Sequence, residues 1–229
     1  MYNEEAIIAD SARTLSDYMS ENFQDYEIIF SNDGSRDRCG DIVRGMNLPH
    51  VKVIENKQNM GKGYAVRAAM LEADGDIIMF TDADLAYGTD VILQVARHFE
   101  SSPETDVLIG SRNISKDGYE GYTFIRRIAS KVYIKLLCVA GGFRLSDSQC
   151  GCKAFTHDAA KNIFKRCEVN RFAFDFECLL WASKLGLKIS EMPVKVINHR
   201  DSTVNVWRDS FRMLRDVRKM KKRIKKTQI

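Results

Sequence analysis

The chain has 229 residues with 45% hydrophobic content, enough for one sizeable core and too apolar for a disordered segment. No apolar run approaches the roughly 18–20 residues that span a bilayer, and the first residues, MYNEEAIIAD, are acidic rather than leader-like. The net charge of +4 hides an asymmetry: Arg208–Lys226 holds ten Lys/Arg and two Asp, leaving 25 basic and 29 acidic residues elsewhere. The C-terminus is therefore a basic arm on a mildly acidic body.

From the start, YNEEAIIADSARTLSDYMSE reads as a loop and an amphipathic helix. YEIIFSNDGSRD is a short apolar run stopped by turn residues, hence strand then loop, and RDRCGDIVRGM reads as a helix. VKVIENKQN is a second strand. GKGYAVRAAMLEA opens on glycines and continues at helical spacing. GDIIMFTDADLAYG is a third strand with its loop. TDVILQVARHFES is a helix with Thr89 or Asp90 as N-cap, and DVLIGSRN is a fourth strand. This alternation predicts an α/β fold with a mostly parallel sheet and helices on both faces. Ligands of such sheets sit at the carboxyl ends of strands, where Asn32-Asp33-Gly34-Ser35, Asp82-Ala-Asp84 and Gly110-Ser-Arg112 all fall.

In the second half, GYTFIRRIASKVYIKLLCVAGG reads as a helix with Arg127, Lys131 and Lys135 on one stripe and Ile125, Ile128, Val132 and Leu136 on another. DSQCGCKAF is a loop into a strand, HDAAKNIFKRC and DFECLLWASKLG are helical, and KISEMPVKVINHR is a strand. Trp207, Phe211, Leu214, Val217, Met220 and Ile224 recur every three or four residues, so the basic arm is an amphipathic helix. The expected organisation is one domain over residues 1–200, divided into 1–112 and 113–200, followed by the helix 201–229.

The six cysteines are scattered in apolar surroundings, as in a reduced cytosolic protein, and Cys150-x-Cys152 lacks zinc-site spacing. His50, His98, His157 and His199 show no ligand spacing either.

Asp82 and Asp84, just past a strand, have the chemistry to share a hard divalent cation that also holds phosphate oxygens. The triplet alone reads equally as a solvated loop. Asp33 suits a nucleobase or ribose, or an Asx-turn. Asn59-x-Gly61-Lys62-Gly63 opens a helix and offers N–H groups or Lys62 to phosphates, although it lacks Walker spacing.

Taken in order, Tyr2-Asn3-Glu4-Glu5, Asn32-Asp33-Gly34-Ser35, Asn59-x-Gly-Lys-Gly, Asp82-Ala-Asp84 and Gly110-Ser-Arg112 resemble the family 2 glycosyltransferases of GT-A fold. Asp147-Ser-Gln-Cys-Gly-Cys-Lys-Ala-Phe155 and Arg171-Phe-Ala-Phe-Asp-Phe-Glu177 resemble the branch holding dolichyl-phosphate glucosyltransferases and their polyprenyl-phosphate relatives. The resemblance implies that Tyr2, Glu4 and Asp33 contact the base and ribose of a nucleotide sugar such as UDP-glucose, with Lys62 beside them. It implies that Asp82 and Asp84 hold Mg²⁺ or Mn²⁺ on the diphosphate, and that Arg112, Arg126 and Arg127 face an acceptor phosphate. Asp147, Gln149, Asp175 and Glu177 would line the sugar and acceptor side. It also implies an apolar strand ahead of Tyr2, whose end places Tyr2 and Glu4.

A phosphate monoester needs no general base, because its second pKa of about 6 leaves it largely dianionic at neutral pH. It needs cations, and the helix carrying Arg126, Arg127, Lys131 and Lys135 offers them beside an apolar face. A lipid phosphate acceptor, with the protein peripheral to the cytoplasmic face of a membrane, is the expected setting. The competing readings are a related transferase with a sugar or protein hydroxyl acceptor, and a non-catalytic nucleotide-sugar or nucleic-acid binding module.

Overall fold

The computed structural model describes residues 1–115, 134, 139, 142, 145–198, 217 and 219–227. Its elements run α1 (Glu5–Asn22), β1 (Ile28–Asn32), α2 (Cys39–Gly45), β2 (Val51–Glu55), α3 (Lys62–Glu72), β3 (Ile77–Phe80), α4 (Asp90–Ser101) and β4 (Val107–Ser111). Then come β5 (Lys153–Thr156), α5 (His157–Phe164), α6 (Phe174–Lys184) and β6 (Ile189–Pro193), and residues 219–226 are helical. Each described element lies where the hydrophobic patterning predicts it. Arg126, Arg127, Lys131 and Lys135 of the expected basic helix, and the arm before Val217, lie outside the described residues.

β1 and β2 pair in parallel, Ile28 opposite Val51 through Asn32 opposite Glu55, with α2 as the crossover. A second sheet has the order β3-β5-β4-β6. There β4 pairs in parallel with β6, and β5 alone runs antiparallel to its neighbours β3 and β4. β4 is buried along its whole length. Side chains alternate about it: Val107 and Ile109 face one core, Leu108 the other. The period of two follows from the pleat. The larger core gathers α3, α5, α6 and three residues of the C-terminal segment, Val217, Met220 and Ile224. The smaller core lies under α4, and a third joins α1, α2 and β1.

Helix α6 is buried at every position from Phe174 to Ala182, including Asp175 and Glu177. A helix buried all round must give each ionised side chain a partner. Helix α5 starts at a capped end, where Thr156 Oγ1 accepts from Ala159 N–H at 3.4 Å.

β1 and β3 are not paired with each other. Beside β1, Met1 donates to Ser31 O at 2.7 Å and its carbonyl accepts from Asp33 N–H at 3.0 Å, the pattern of a parallel bridge. α3 packs against both β1 and β3. Among the described residues, no strand ladder covers the far edge of either strand. An extended apolar segment joined ahead of Met1 is predicted to continue this bridge along β1. Each aliphatic side chain it buries contributes about 1.5–3 kcal/mol. Thermal melts of chains with and without such a segment check this; equal melting temperatures would show that the β1 edge gains nothing from a further strand.

Candidate active site

The polar ends of β1, β3 and β4 form the candidate site. β1 delivers Asp33, a residue only 3% exposed. Oδ1 accepts from Asn56 Nδ2 at 3.0 Å and from Met60 N–H at 2.9 Å; Oδ2 accepts from Gly61 N–H at 2.7 Å. Asp33 thus fixes the loop that opens α3. Gly61 has φ of +105°, and a Cβ there would lie 2.4 Å from Asn170 O. A Cβ on Gly63 would meet Val169 O at 2.5 Å. The two glycines allow the 167–171 segment to press directly on this loop.

Between those glycines, Lys62 makes an ion pair with Asp82, the first carboxylate past β3. Both side chains remain about a third exposed, at 33% and 34%. Burial opposes the Lys62 charge, but Asp82, Asp175 and Asp84 outweigh it and hold the ammonium above its ordinary value. On the other side of Asp82, a Cβ on Gly151 would lie 2.4 Å from Oδ2, so only glycine leaves that carboxylate its place. Asp84 Oδ1 accepts from Ala86 N–H at 3.1 Å, and Asn198 Nδ2 donates to Asp84 O at 3.0 Å. The loop is turned by Leu85 at φ of +49° and Gly88 at +71°.

Beneath this pair lies a second. Lys153 is fully buried on β5, in register between Phe80 and Ile109. Its Nζ donates to Asp175 Oδ1 and to Cys150 O, both at 2.6 Å. Burial pushes the Asp175 carboxyl above its ordinary range in spite of Lys153 and Lys62 nearby. Asp82, Lys62, Asp175 and Lys153 therefore alternate in sign from the surface into the core.

At the end of β4, Arg112 forks onto Asp147, Nε to Oδ2 at 2.7 Å and Nη2 to Oδ1 at 3.0 Å. Burial works against the guanidinium charge, yet Asp147 holds it well above its ordinary value. Asp147 is fully buried and also accepts from Gln149 N–H at 3.2 Å. Gln149 Nε2 is buried with no partner among the described residues.

The N-terminal segment is laced to the loop after β1. Asn3 N–H donates to Ser35 Oγ at 3.0 Å, and Asn3 Oδ1 accepts from Arg36 N–H at 2.9 Å. Glu5 and the Asp37-Arg38 pair exchange two similar bonds, at 2.8 and 3.0 Å. Tyr2 is left 41% exposed, and the Glu4 carbonyl accepts from Ile7 and Ile8 as α1 begins.

Residues 1–164 match the family described as Glycosyl transferase family 2. The chain belongs to that family. A dolichyl-phosphate beta-glucosyltransferase of Trichomonas vaginalis is 32% identical over 207 residues, 85% of this chain and 63% of the relative. Another protein of that name, from Drosophila melanogaster, is 36% identical over 180 residues, 74% of this chain and 55% of the relative. The chain thus spans less than two thirds of the length of either. Among solved structures, glucosyl-3-phosphoglycerate synthase of Mycobacterium tuberculosis, in complex with Mn²⁺, UDP and phosphoglyceric acid, superposes with a TM-score of 0.70 at 17% identity. That match covers 100% of this chain and 77% of the synthase. The fold is GT-A.

Within this family 2 fold, the predicted residues divide into groups. Asp33, Lys62, Asp82, Asp84 and Asp175 share one site through the loop that opens α3. Arg112, Asp147 and Gln149 form a separate knot at the end of β4. Glu177 faces away from Asp175, because i and i+2 on a helix point to opposite sides. Its Oε2 accepts from Glu168 and Val169 N–H at 3.0 and 2.8 Å. Arg126, Arg127 and Lys131 lie outside the described residues. Lys153, Gly151, Asn3 and Glu5 fall inside the motifs that carry the resemblance, which assigns them no role of their own. Lys153 had one available signal, a charge inside the strand Lys153-Ala-Phe-Thr.

Lys153→Met should leave Asp175 buried without its cation and cost about 3–5 kcal/mol. Lys153→Met with Asp175→Asn should recover much of that loss. Chemical denaturation of both variants checks the pairing; a single mutant as stable as the parent would remove it.

Proposed function

We propose that the chain is a metal-dependent inverting glycosyltransferase that moves a hexose, glucose from UDP-glucose, onto a polyprenyl or dolichyl phosphate. The relatives' names support the lipid phosphate and the glucose. The complex of the mycobacterial synthase supports UDP and Mn²⁺. The observation that carries the reading is the half-open Lys62–Asp82 pair beside Asp84 at the end of β3, on a loop fixed by Asp33.

The donor set fits a hard divalent cation. Asp82 and Asp84 are carboxylates, and the glycine at 151 leaves room for the first of them. Among the described residues no group of three or more His, Cys, Asp or Glu side chains gathers as a ligand cluster. Magnesium often takes one or two carboxylates and completes its shell with phosphate oxygens and water. Bound Mg²⁺ or Mn²⁺ would neutralise charge on the departing diphosphate.

The chain's own groups supply the remainder. Lys62 is cationic at neutral pH, balances Asp82 and stands beside the diphosphate. Asp33 holds the loop that presents Lys62, while Tyr2 and Glu4 would contact the base and ribose. Arg112, held by Asp147 beside Gln149, would serve the acceptor side, and Asp175 would serve the sugar side beneath Lys62; Glu177, turned to the 167–170 segment, is left out of the reacting site. Arg126, Arg127 and Lys131 receive the acceptor phosphate. Its oxygen, already anionic, attacks the anomeric carbon from the face opposite the diphosphate. The new C–O bond forms as the bond to the diphosphate breaks, so the configuration inverts and no proton needs removal.

No described helix is long and apolar enough to cross a membrane. Val217, Met220 and Ile224 are buried in the core. Contact of this helix with a membrane surface therefore falls to the exposed Lys219, Lys221, Lys222, Lys225 and Lys226 and is electrostatic, about 1 kcal/mol per basic residue near anionic lipid. The protein acts peripherally, on the cytoplasmic face.

Asp84→Asn is predicted to cut Mn²⁺-dependent transfer by roughly 10²–10³-fold, the scale of losing one preorganised electrostatic contact. Labelled UDP-glucose is incubated with polyprenyl phosphate and the lipid extract is counted. Near-normal label from a folded Asp84→Asn variant would remove the metal assignment. Label that appears only on a hydroxyl acceptor would replace the lipid-phosphate reading.

A further inference from the structure

The C-terminal helix is tied to the body at two polar points besides its apolar face. Lys184 Nζ donates to the carbonyls of Ile224 and Thr227, a cation at a helix C-terminus. Arg223 forms ion pairs with Glu168 and Glu177. Glu168 is largely exposed, with 70% of its side chain accessible, while Glu177 is fully buried. The Arg223–Glu177 contact is therefore the consequential one: it balances a carboxylate that water cannot reach.

Glu177 in turn grips the backbone of Glu168 and Val169 through Oε2. The same short segment is held from its other side by α3. Asn170 O accepts from Tyr64 N–H at 3.1 Å. Arg67 donates to Cys167 O at 2.8 Å and to Asn170 Oδ1 at 3.2 Å. Val169 O and Asn170 O are the very atoms that occupy the space a Cβ on Gly63 or Gly61 would need. The segment is thus a wedge between two elements, with no slack on the side of Lys62.

We propose that Arg223 is a positioning residue for the Gly61-Lys62-Gly63 loop, acting through Glu177 and the 167–170 wedge. Its effect on nucleotide affinity rests on the reading of that loop as the donor site. Without Arg223, Glu177 keeps two N–H donors but loses its cation. The wedge then relaxes, and Lys62 with Asp82 loses its fixed placement. The basic helix in this way sets the geometry of a site that its described ion pairs do not reach.

The test compares Arg223→Gln, Arg223→Lys and Lys184→Ala in the full chain. Lys184→Ala loosens the same helix without touching Glu177. Amide hydrogen exchange at residues 60–64 should be faster in Arg223→Gln, less so in Arg223→Lys, and unchanged in Lys184→Ala. UDP affinity with Mn²⁺ should fall about two- to thirty-fold in Arg223→Gln only, the usual span for residues that act through a packed network. Unchanged exchange at 60–64 in folded Arg223→Gln overturns the proposal, as does equal acceleration in Lys184→Ala. If Arg223→Gln does not fold, exchange in Arg223→Lys no faster than in the parent also overturns it. Failure of the parent chain to bind UDP would instead remove the donor-site reading, while the exchange data still judge the wedge.

Discussion

The ion pair between Lys62 and Asp82 is the contact on which the site depends. A strand that ends in two carboxylates concentrates negative charge in one loop, and the proposed diphosphate site requires a cation to offset it. Lys62 supplies that cation, but only because Asp33 fastens Met60 and Gly61 and because two glycines let the 167–171 segment come close. The pair stands over Asp175 and Lys153, so charge alternates down into the core. Each buried ion carries a desolvation cost that its partner offsets.

This charge column explains the shape of the surrounding fold. β5 runs against its neighbours and carries Lys153 in register between Phe80 and Ile109. A lysine at the centre of a sheet is tolerated because Asp175 and a carbonyl both accept from it. Helix α6 is buried on all sides, and its two acidic residues face opposite ways. Asp175 pairs with Lys153 beneath Lys62, whereas Glu177 ties the wedge to the C-terminal helix. The basic arm is therefore not simply a solvated charged tail: its described apolar residues complete the larger core, and one of its arginines reaches a buried carboxylate.

Much of this was legible from the residues. The strand–helix alternation, with strands stopped by Asn-Asp-Gly, Asp-Ala-Asp and Gly-Ser-Arg, is a periodicity signal and placed β1, β3 and β4 with their polar ends together. What a carboxylate points at is set by tertiary packing, and spacing does not carry it. Asp33 has the same sequence context whether it meets a ribose or three N–H groups of the distant loop that opens α3. Arg112 and Asp147 are separated by 35 positions, so their fork is invisible until the chain folds. Lys153 sits beside cysteines in what looks like an ordinary strand start. The antiparallel direction of β5 is likewise a matter of topology.

The central claim is that Lys62, Asp82 and Asp84 form a metal–diphosphate site. Anomalous diffraction from a crystal soaked with UDP and Mn²⁺ tests it most directly. The account requires one manganese peak against the carboxylates of Asp82 and Asp84, with the diphosphate on the same ion and beside Lys62. A manganese peak elsewhere, or UDP bound away from the end of β3, would contradict it.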